Sequence, residues 1–144
     1  MNRGEERSAR LRKLGLIPTV QRLAVLEYLD SADTHPTAEE VYAAIRKRLP
    51  TISRATVYNT LDALTKSRAI LRLTIDPTAS RYDGLDETHT HFYCRICHKV
   101  YDIELPARSF PEEVNGHKIE EVQTYAYGVC AACRTSQTEE ESDA

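Results

Sequence analysis

Apolar positions fall at helical spacing through the first half of this 144-residue chain and change to alternation after Lys66. Thr19 is placed to cap a helix whose apolar positions are Val20, Leu23, Leu26 and Leu29 and which ends near Ser31. After a turn over 32–36, Thr37 with Glu40 three residues on has the form of a capping box. It opens a helix with Val41, Ile45 and Leu49 on one stripe and Pro50 just beyond. Ser53 caps a third segment in which Val57, Leu61 and Leu64 fall at i, i+4 and i+7. An earlier, weakly amphipathic helix is expected from Arg3 to Leu14.

Past Lys66, residues 70–75 read as a strand, Asp76-Pro77-Thr78 as a turn and residues 80–82 as a short returning strand. Helices followed by a two-stranded hairpin give the order of a winged helix-turn-helix, whose last helix enters a DNA major groove. With Val57, Leu61 and Leu64 turned inward, Arg54, Ala55, Tyr58 and Asn59 are left facing out. Arg suits guanine or phosphate, Asn suits adenine, and Tyr reaches phosphate or a thymine methyl. The plainer alternative is a solvated helix face.

The second half changes character at Gly84. Residues 91–95 and 99–104 read as strands on either side of a Cys-x-x-Cys turn. The segment 106–116 holds two prolines and reads as a loop with at most one helical turn. Residues 118–129 alternate, are rich in Val and Tyr, and read as a strand ending at a second Cys-x-x-Cys turn. The polar, acidic end is expected to be disordered. The expected fold is α+β: a winged-helix DNA-binding domain over 1–83, a hinge over 84–90, a small α/β domain over 91–134, and a tail over 135–144.

Composition sharpens this division. Apolar residues make up 41%, but with no Trp and two Phe the chain suits two modest cores better than one large one. The net charge of −3 hides a split: residues 1–75 carry 13 Lys+Arg against 8 Asp+Glu, residues 76–144 carry 6 against 14. A basic half followed by an acidic half fits a nucleic-acid-binding module joined to a sensing or assembly module. The charged start has no apolar signal region, and no stretch reaches membrane-spanning length. A cytoplasmic protein is therefore expected, in which paired cysteines are more often metal ligands than disulfides.

All four cysteines lie in two such pairs, Cys94/Cys97 and Cys130/Cys133. One tight turn presents two thiolates to one ion, and two turns complete the tetrahedron that zinc prefers. The 32-residue separation requires strands and a loop to fold back. The alternatives are two disulfides or a thioredoxin-type dithiol. A redox dithiol needs one pair to open a helix, which neither pair is expected to do. A harder set of donors lies close by. His89 and His91 project from one face of a strand, with Asp83 ending the hairpin and Asp102 ending the strand after the first cysteine turn. Singly each is an ordinary surface residue; together they suit Fe(II), Mn(II) or Zn(II).

From about residue 5 to residue 134 the chain resembles the ferric uptake regulator superfamily. The resemblance rests on His35-Pro-Thr-Ala-Glu-Glu-Val-Tyr42, Ser53-Arg-Ala-Thr-Val-Tyr-Asn-Thr-Leu61, Arg81-Tyr-Asp83, His89-Thr-His91, Cys94-x-x-Cys97, Asp102 and Gly128-Val-Cys130-x-x-Cys133. It implies a homodimeric, non-enzymatic repressor that binds a palindromic double-stranded DNA operator. It also implies one structural zinc per subunit on Cys94, Cys97, Cys130 and Cys133. One regulatory Fe(II) or Mn(II) per subunit would sit on His35, Asp83, His89, His91 and Asp102, with room for a sixth, exchangeable ligand.

The spacing of those five is that of the peroxide-sensing branch. Asp102 favours that branch, since iron-uptake members more often carry glutamate there and at the position of Asp83. Thr88 and Thr90 speak against a further site interleaved with the His-x-His segment. In that branch hydrogen peroxide is the signal: it reacts with bound Fe(II), and the oxidant attacks a ligating imidazole, here that of His35 or His89. Loss of that ligand frees the promoter. The departures are His98 and Arg68, where the family usually has glycine, and a short stretch from Asp102 to Gly116 that leaves little space for the customary helix. The alternative within the family is an iron- or manganese-uptake repressor without peroxide chemistry. Outside it stand a zinc hydrolase, which would need a free general base, and a zinc-stabilised RNA-binding module.

Overall fold

The computed structural model describes residues 2–32, 34–84, 90–105 and 109–142. The chain divides into two compact units, Met1–Glu87 and Thr88–Ala144. Among the described residues no helix is long and apolar enough to cross a membrane.

The first unit is built from α1 (Arg3–Lys13), α2 (Val20–Ser31), α3 (Ala38–Arg48), α4 (Arg54–Lys66) and the antiparallel hairpin β1 (Leu71–Leu73) with β2 (Arg81–Asp83). Each helix begins on a side chain that satisfies one of its free amides. Asn2 and Glu5 form a reciprocal capping box, while Thr19, Thr37 and Ser53 accept from Arg22, Glu40 and Thr56. At α3 the Glu40 carboxylate accepts from the Thr37 hydroxyl, at 3.1 Å.

Val57, Leu61 and Leu64 of α4 have no exposed side chain and pack with Val25, Leu26, Leu29, Val41 and Ile45. Each such burial contributes roughly 1.5–3 kcal/mol. Two expectations need correction here. Val20, placed on the inner stripe of α2, is 64% exposed, because the buried face runs through Ala24, Val25, Leu26 and Leu29. Arg68 in place of the usual glycine leads to the expectation that α4 ends without a left-handed residue, yet it does end on one. Arg68 has φ +66°, the Arg68 amide reaches the Thr65 carbonyl and the Ala69 amide reaches that of Leu64, which is a Schellman closure.

The second unit centres on a three-stranded sheet in the order β4 (Val100–Ile103), β3 (Thr90–Cys94), β7 (Thr124–Gly128). β3 pairs antiparallel with β4, setting His91 opposite Asp102, and parallel with β7. Where a loop was expected over 106–116, the described part contains a small hairpin, β5 (Glu113–Val114) with β6 (His117–Lys118). Its turn is Asn115-Gly116, both with positive φ, the pairing that a two-residue hairpin turn requires. The single strand expected over 118–129 is correspondingly divided between β6 and β7. No helix lies in the described residues between Asp102 and Gly116. The end of the chain differs from expectation as well: α5 runs Ala131–Ser142 where disorder was expected from 135. Its Ala, Arg, Gln and Glu content carries enough helix preference to continue a helix already begun at the second cysteine turn.

Candidate metal centres

The first cysteine turn closes with the His98 amide on the Cys94 carbonyl and the Cys94 amide on the Lys99 carbonyl. His98 holds φ +62° there, the left-handed conformation that explains why glycine is the usual choice. Its Nδ1 lies 2.8 Å from the Tyr93 hydroxyl. The second pair sits where β7 gives way to α5, so Cys130 and Cys133 do open a helix, against expectation. That removes one ground for setting a redox dithiol aside, but the geometry supplies a better one. The four sulfurs lie within 4.8 Å of one another, and Cys97 and Cys130, from different pairs, are 3.8 Å apart. A tetrahedron with zinc–sulfur bonds of about 2.3 Å has edges of about 3.8 Å. A disulfide would need about 2.05 Å, and all four cysteines are free.

The thiols share protons unevenly. Burial opposes ionisation of Cys94, yet the backbone amides of Cys97, Cys130 and Ile96 bring it down to about 6. The Cys133 amide, helped by the Tyr101 hydroxyl, lowers Cys130. The hydrogen bond with Cys130 pushes Cys133 up instead. Tyr101 is held well above the usual phenol range, first by its hydrogen bond to Cys130. Four sulfurs this close cannot all ionise unless a cation joins them. The donor set and its dimensions therefore fit zinc.

The nitrogen and oxygen donors form one pair in each unit. In the first, His35 Nε2 lies 3.4 Å from Asp83 Oδ2, both residues buried. His35 has φ +53° and lies just ahead of the Thr37 cap of α3. Arg81 fixes it there: its Nη1 donates to the His35 carbonyl at 3.1 Å, its Nε to Asp76 Oδ2 at 3.1 Å. The next residue joins in, the Tyr82 amide donating to the Pro36 carbonyl. In the second unit His91, buried on β3, places Nε2 3.3 Å from Asp102 Oδ1 across the strand pair, with the Tyr125 ring edge-on beside it. His89 lies outside the described residues.

Sequence reasoning missed Arg81 and Asp76 as supports of His35. The signal available was the alternation of β2, which sends Arg81 and Asp83 to the same side two residues apart.

On α4, Arg54, Ala55, Tyr58 and Asn59 are all exposed. Two of them are engaged by a residue not singled out beforehand. Glu39 of α3 accepts from Arg54 Nε at 3.2 and 3.3 Å and from the Tyr58 hydroxyl at 2.9 Å. Those bonds, Tyr58 first and then Arg54, hold the Glu39 carboxyl below the usual carboxylate range. The Arg54 guanidinium also lies over the Tyr42 ring, 4.7 Å from its centre.

A winged helix joined to a unit with a four-cysteine cage of zinc dimensions, each part carrying a buried histidine beside a carboxylate, defines a metal-responsive DNA-binding regulator. The profile of the ferric uptake regulator family matches residues 13–127. The peroxide-responsive repressor PerR of Staphylococcus epidermidis is 37% identical over 134 residues, spanning 90% of this chain and 89% of that protein. Among solved structures, the Helicobacter pylori ferric uptake regulator Fur, described as having three functional metal-binding sites, superposes with a TM-score of 0.72 at 26% identity, covering 92% of this chain and 95% of that one. The Campylobacter jejuni peroxide stress regulator gives 0.65 at 27% identity, covering 92% and 100%. The chain belongs to the ferric uptake regulator family. It is accordingly a metal-responsive transcriptional regulator and not an enzyme.

Proposed function

We propose that this chain is a peroxide-sensing repressor: a cytoplasmic homodimer that holds a palindromic operator while Fe(II) or Mn(II) is bound and lets go when peroxide damages a ligand. The observation that carries this reading is the pairing of buried His35 with Asp83 and of buried His91 with Asp102, apart from the thiolate cage. On this reading His35, Asp83, His91 and Asp102, with His89, hold one regulatory ion, and Cys94, Cys97, Cys130 and Cys133 hold zinc. The relatives named as peroxide-responsive repressors support the choice of signal.

His35 and Asp83 belong to the DNA-binding unit, His91 and Asp102 to the other. A ligand set drawn from both favours whichever arrangement of the units completes it, and that differential affinity shifts the population. Moving it from 1:99 to 99:1 takes about 5.5 kcal/mol, modest for a five-ligand site. The favoured arrangement sets the spacing of the two recognition helices, so that Arg54, Ala55, Tyr58 and Asn59 meet two half-sites about one helical turn, or a multiple of it, apart. Fe(II), when bound, would activate peroxide beside the ligands with no net change in its own oxidation state. A ligating imidazole, His35 or His89, takes up one oxygen atom while the other leaves as water. An oxidised ring is a poorer ligand, and the two units lose their common anchor.

Exposing Fe(II)- and Mn(II)-loaded protein to peroxide, then mapping peptides by mass spectrometry alongside DNA-shift titrations, tests this. Added oxygen on His35 or His89 and loss of DNA binding in the Fe(II) form alone are expected. Unmodified histidines with DNA binding intact would leave a metal-uptake repressor as the better reading.

A further inference from the structure

Glu39 occupies an unusual place for an acidic residue. It lies in the first turn of α3, yet its carboxylate engages two of the outward residues of α4, on the surface that a winged helix turns to DNA. We propose that Glu39 is a positioning residue that sets base specificity: by holding Arg54 through Nε, it presents both terminal Nη groups as a fork to one guanine in each operator half-site. The proposal rests on the reading of α4 as the recognition helix.

Arg54 is the first residue of α4, and base contacts in helix-turn-helix proteins come from the N-terminal part of that helix. The contacts between Arg54 and Glu39 run through Nε at 3.2 and 3.3 Å, leaving the outer edge of the guanidinium for another acceptor pair. The Tyr42 ring beneath fixes the plane of the group. Guanine offers O6 and N7 side by side, both acceptors, which is what such a fork matches. Adenine puts a donor beside N7, and the fork then meets a second donor. An isolated exposed ion pair would orient little. Here the same carboxylate also takes the Tyr58 hydroxyl, so three groups from two helices fix one another. Tyr58 thereby becomes a brace for Glu39 and not a donor to phosphate. The carboxylate has a second effect: it repels the phosphates of every duplex, and only a guanine engaged by Arg54 offsets that penalty.

Selection from randomised duplexes with the Mn(II)-loaded full chain provides the test, with wild type, Arg54→Ala, Glu39→Gln and Glu39→Asp compared base by base. The expected wild-type motif contains a guanine in each half-site that Arg54→Ala no longer requires. Glu39→Gln should relax that position alone by roughly tenfold. It should also bind bulk DNA more tightly, with a salt dependence steeper by about one unit. Glu39→Asp should retain part of the preference. Loss of the guanine in Arg54→Ala with full stringency kept in Glu39→Gln would overturn the role of Glu39. An unchanged motif in Arg54→Ala would overturn the recognition-helix reading itself.

Discussion

Arg81 connects the hairpin turn to His35, and the link depends on Asp76. The Asp76 carboxylate is buried, yet the Thr78 amide and hydroxyl and the Arg81 guanidinium outweigh that burial and hold it below the ordinary carboxylate range. A carboxyl depressed in this way adds stability above its unfolded pKa of about 3.9 and loses it as pH falls through the lower folded value. Asp76→Asn should therefore destabilise the first unit by about 1–3 kcal/mol at neutral pH. The gap between variant and wild type should close once the pH falls well below about 4. Urea denaturation across that range measures it, and a gap of constant size would show that charge is not what Asp76 contributes. His35 itself could not be read as a site residue from periodicity, because its role depends on a left-handed backbone ahead of a proline and on partners some fifty positions away in β2.

Among the elements, β2 and its continuation bear most directly on the proposed regulatory site. Immediately after Asp83, Gly84 runs close to the end of α2. A Cβ there would come within 2.9 Å of Asp30 Oδ1 and 3.1 Å of the Leu29 backbone. Asp30 is itself tied to Arg7 at 2.8 Å and has little room to retreat. Gly84→Ala should thus push the strand outward and displace Asp83. Manganese affinity is expected to fall roughly tenfold or more, with zinc content unchanged, as read by calorimetric titration. Wild-type affinity would show that Asp83 does not depend on this contact.

The elements also show what the sequence discloses and what it conceals. Caps at Thr19, Thr37 and Ser53 and the stripe Val57, Leu61, Leu64 are local signals, and the helices form where those residues stand. The hairpin at Asn115-Gly116 carried an equally local signal that two nearby prolines obscured. Val20 shows the opposite limit, since spacing identifies an apolar face but not how far toward a helix end the core reaches. The Arg68 closure was hidden because the sequence lacks the glycine that normally marks it. The four-cysteine set was legible from spacing, whereas the brace on Arg54 was not, because nothing along the chain connects Glu39 to a residue fifteen positions later on another helix.

At the scale of the molecule the two units differ in how they are held. The first has a full helical core, while the buried apolar side chains described in the second are Tyr93, Val100 and the cysteines Cys94 and Cys130. So small a core does not hold a sheet alone, and a structural zinc site typically adds about 10–16 kcal/mol. Stripping zinc with a chelator should abolish the sheet signal and manganese binding while the helical signal of the first unit persists in circular dichroism. Persistence of manganese binding in zinc-free protein would show that the sheet stands without its cage.

One strand ties the two chemistries together. β3 carries His91 near its start and Cys94 at its end, three residues apart on a single register with β7, opposite Tyr125 and Gly128. A slip of one residue would turn His91 to the opposite side. On the proposed reading of the two sites, a newly made chain becomes competent to respond to its environment only after the cysteine end of that strand has been locked. Scarcity of the first metal would then silence the protein before the second was ever sampled.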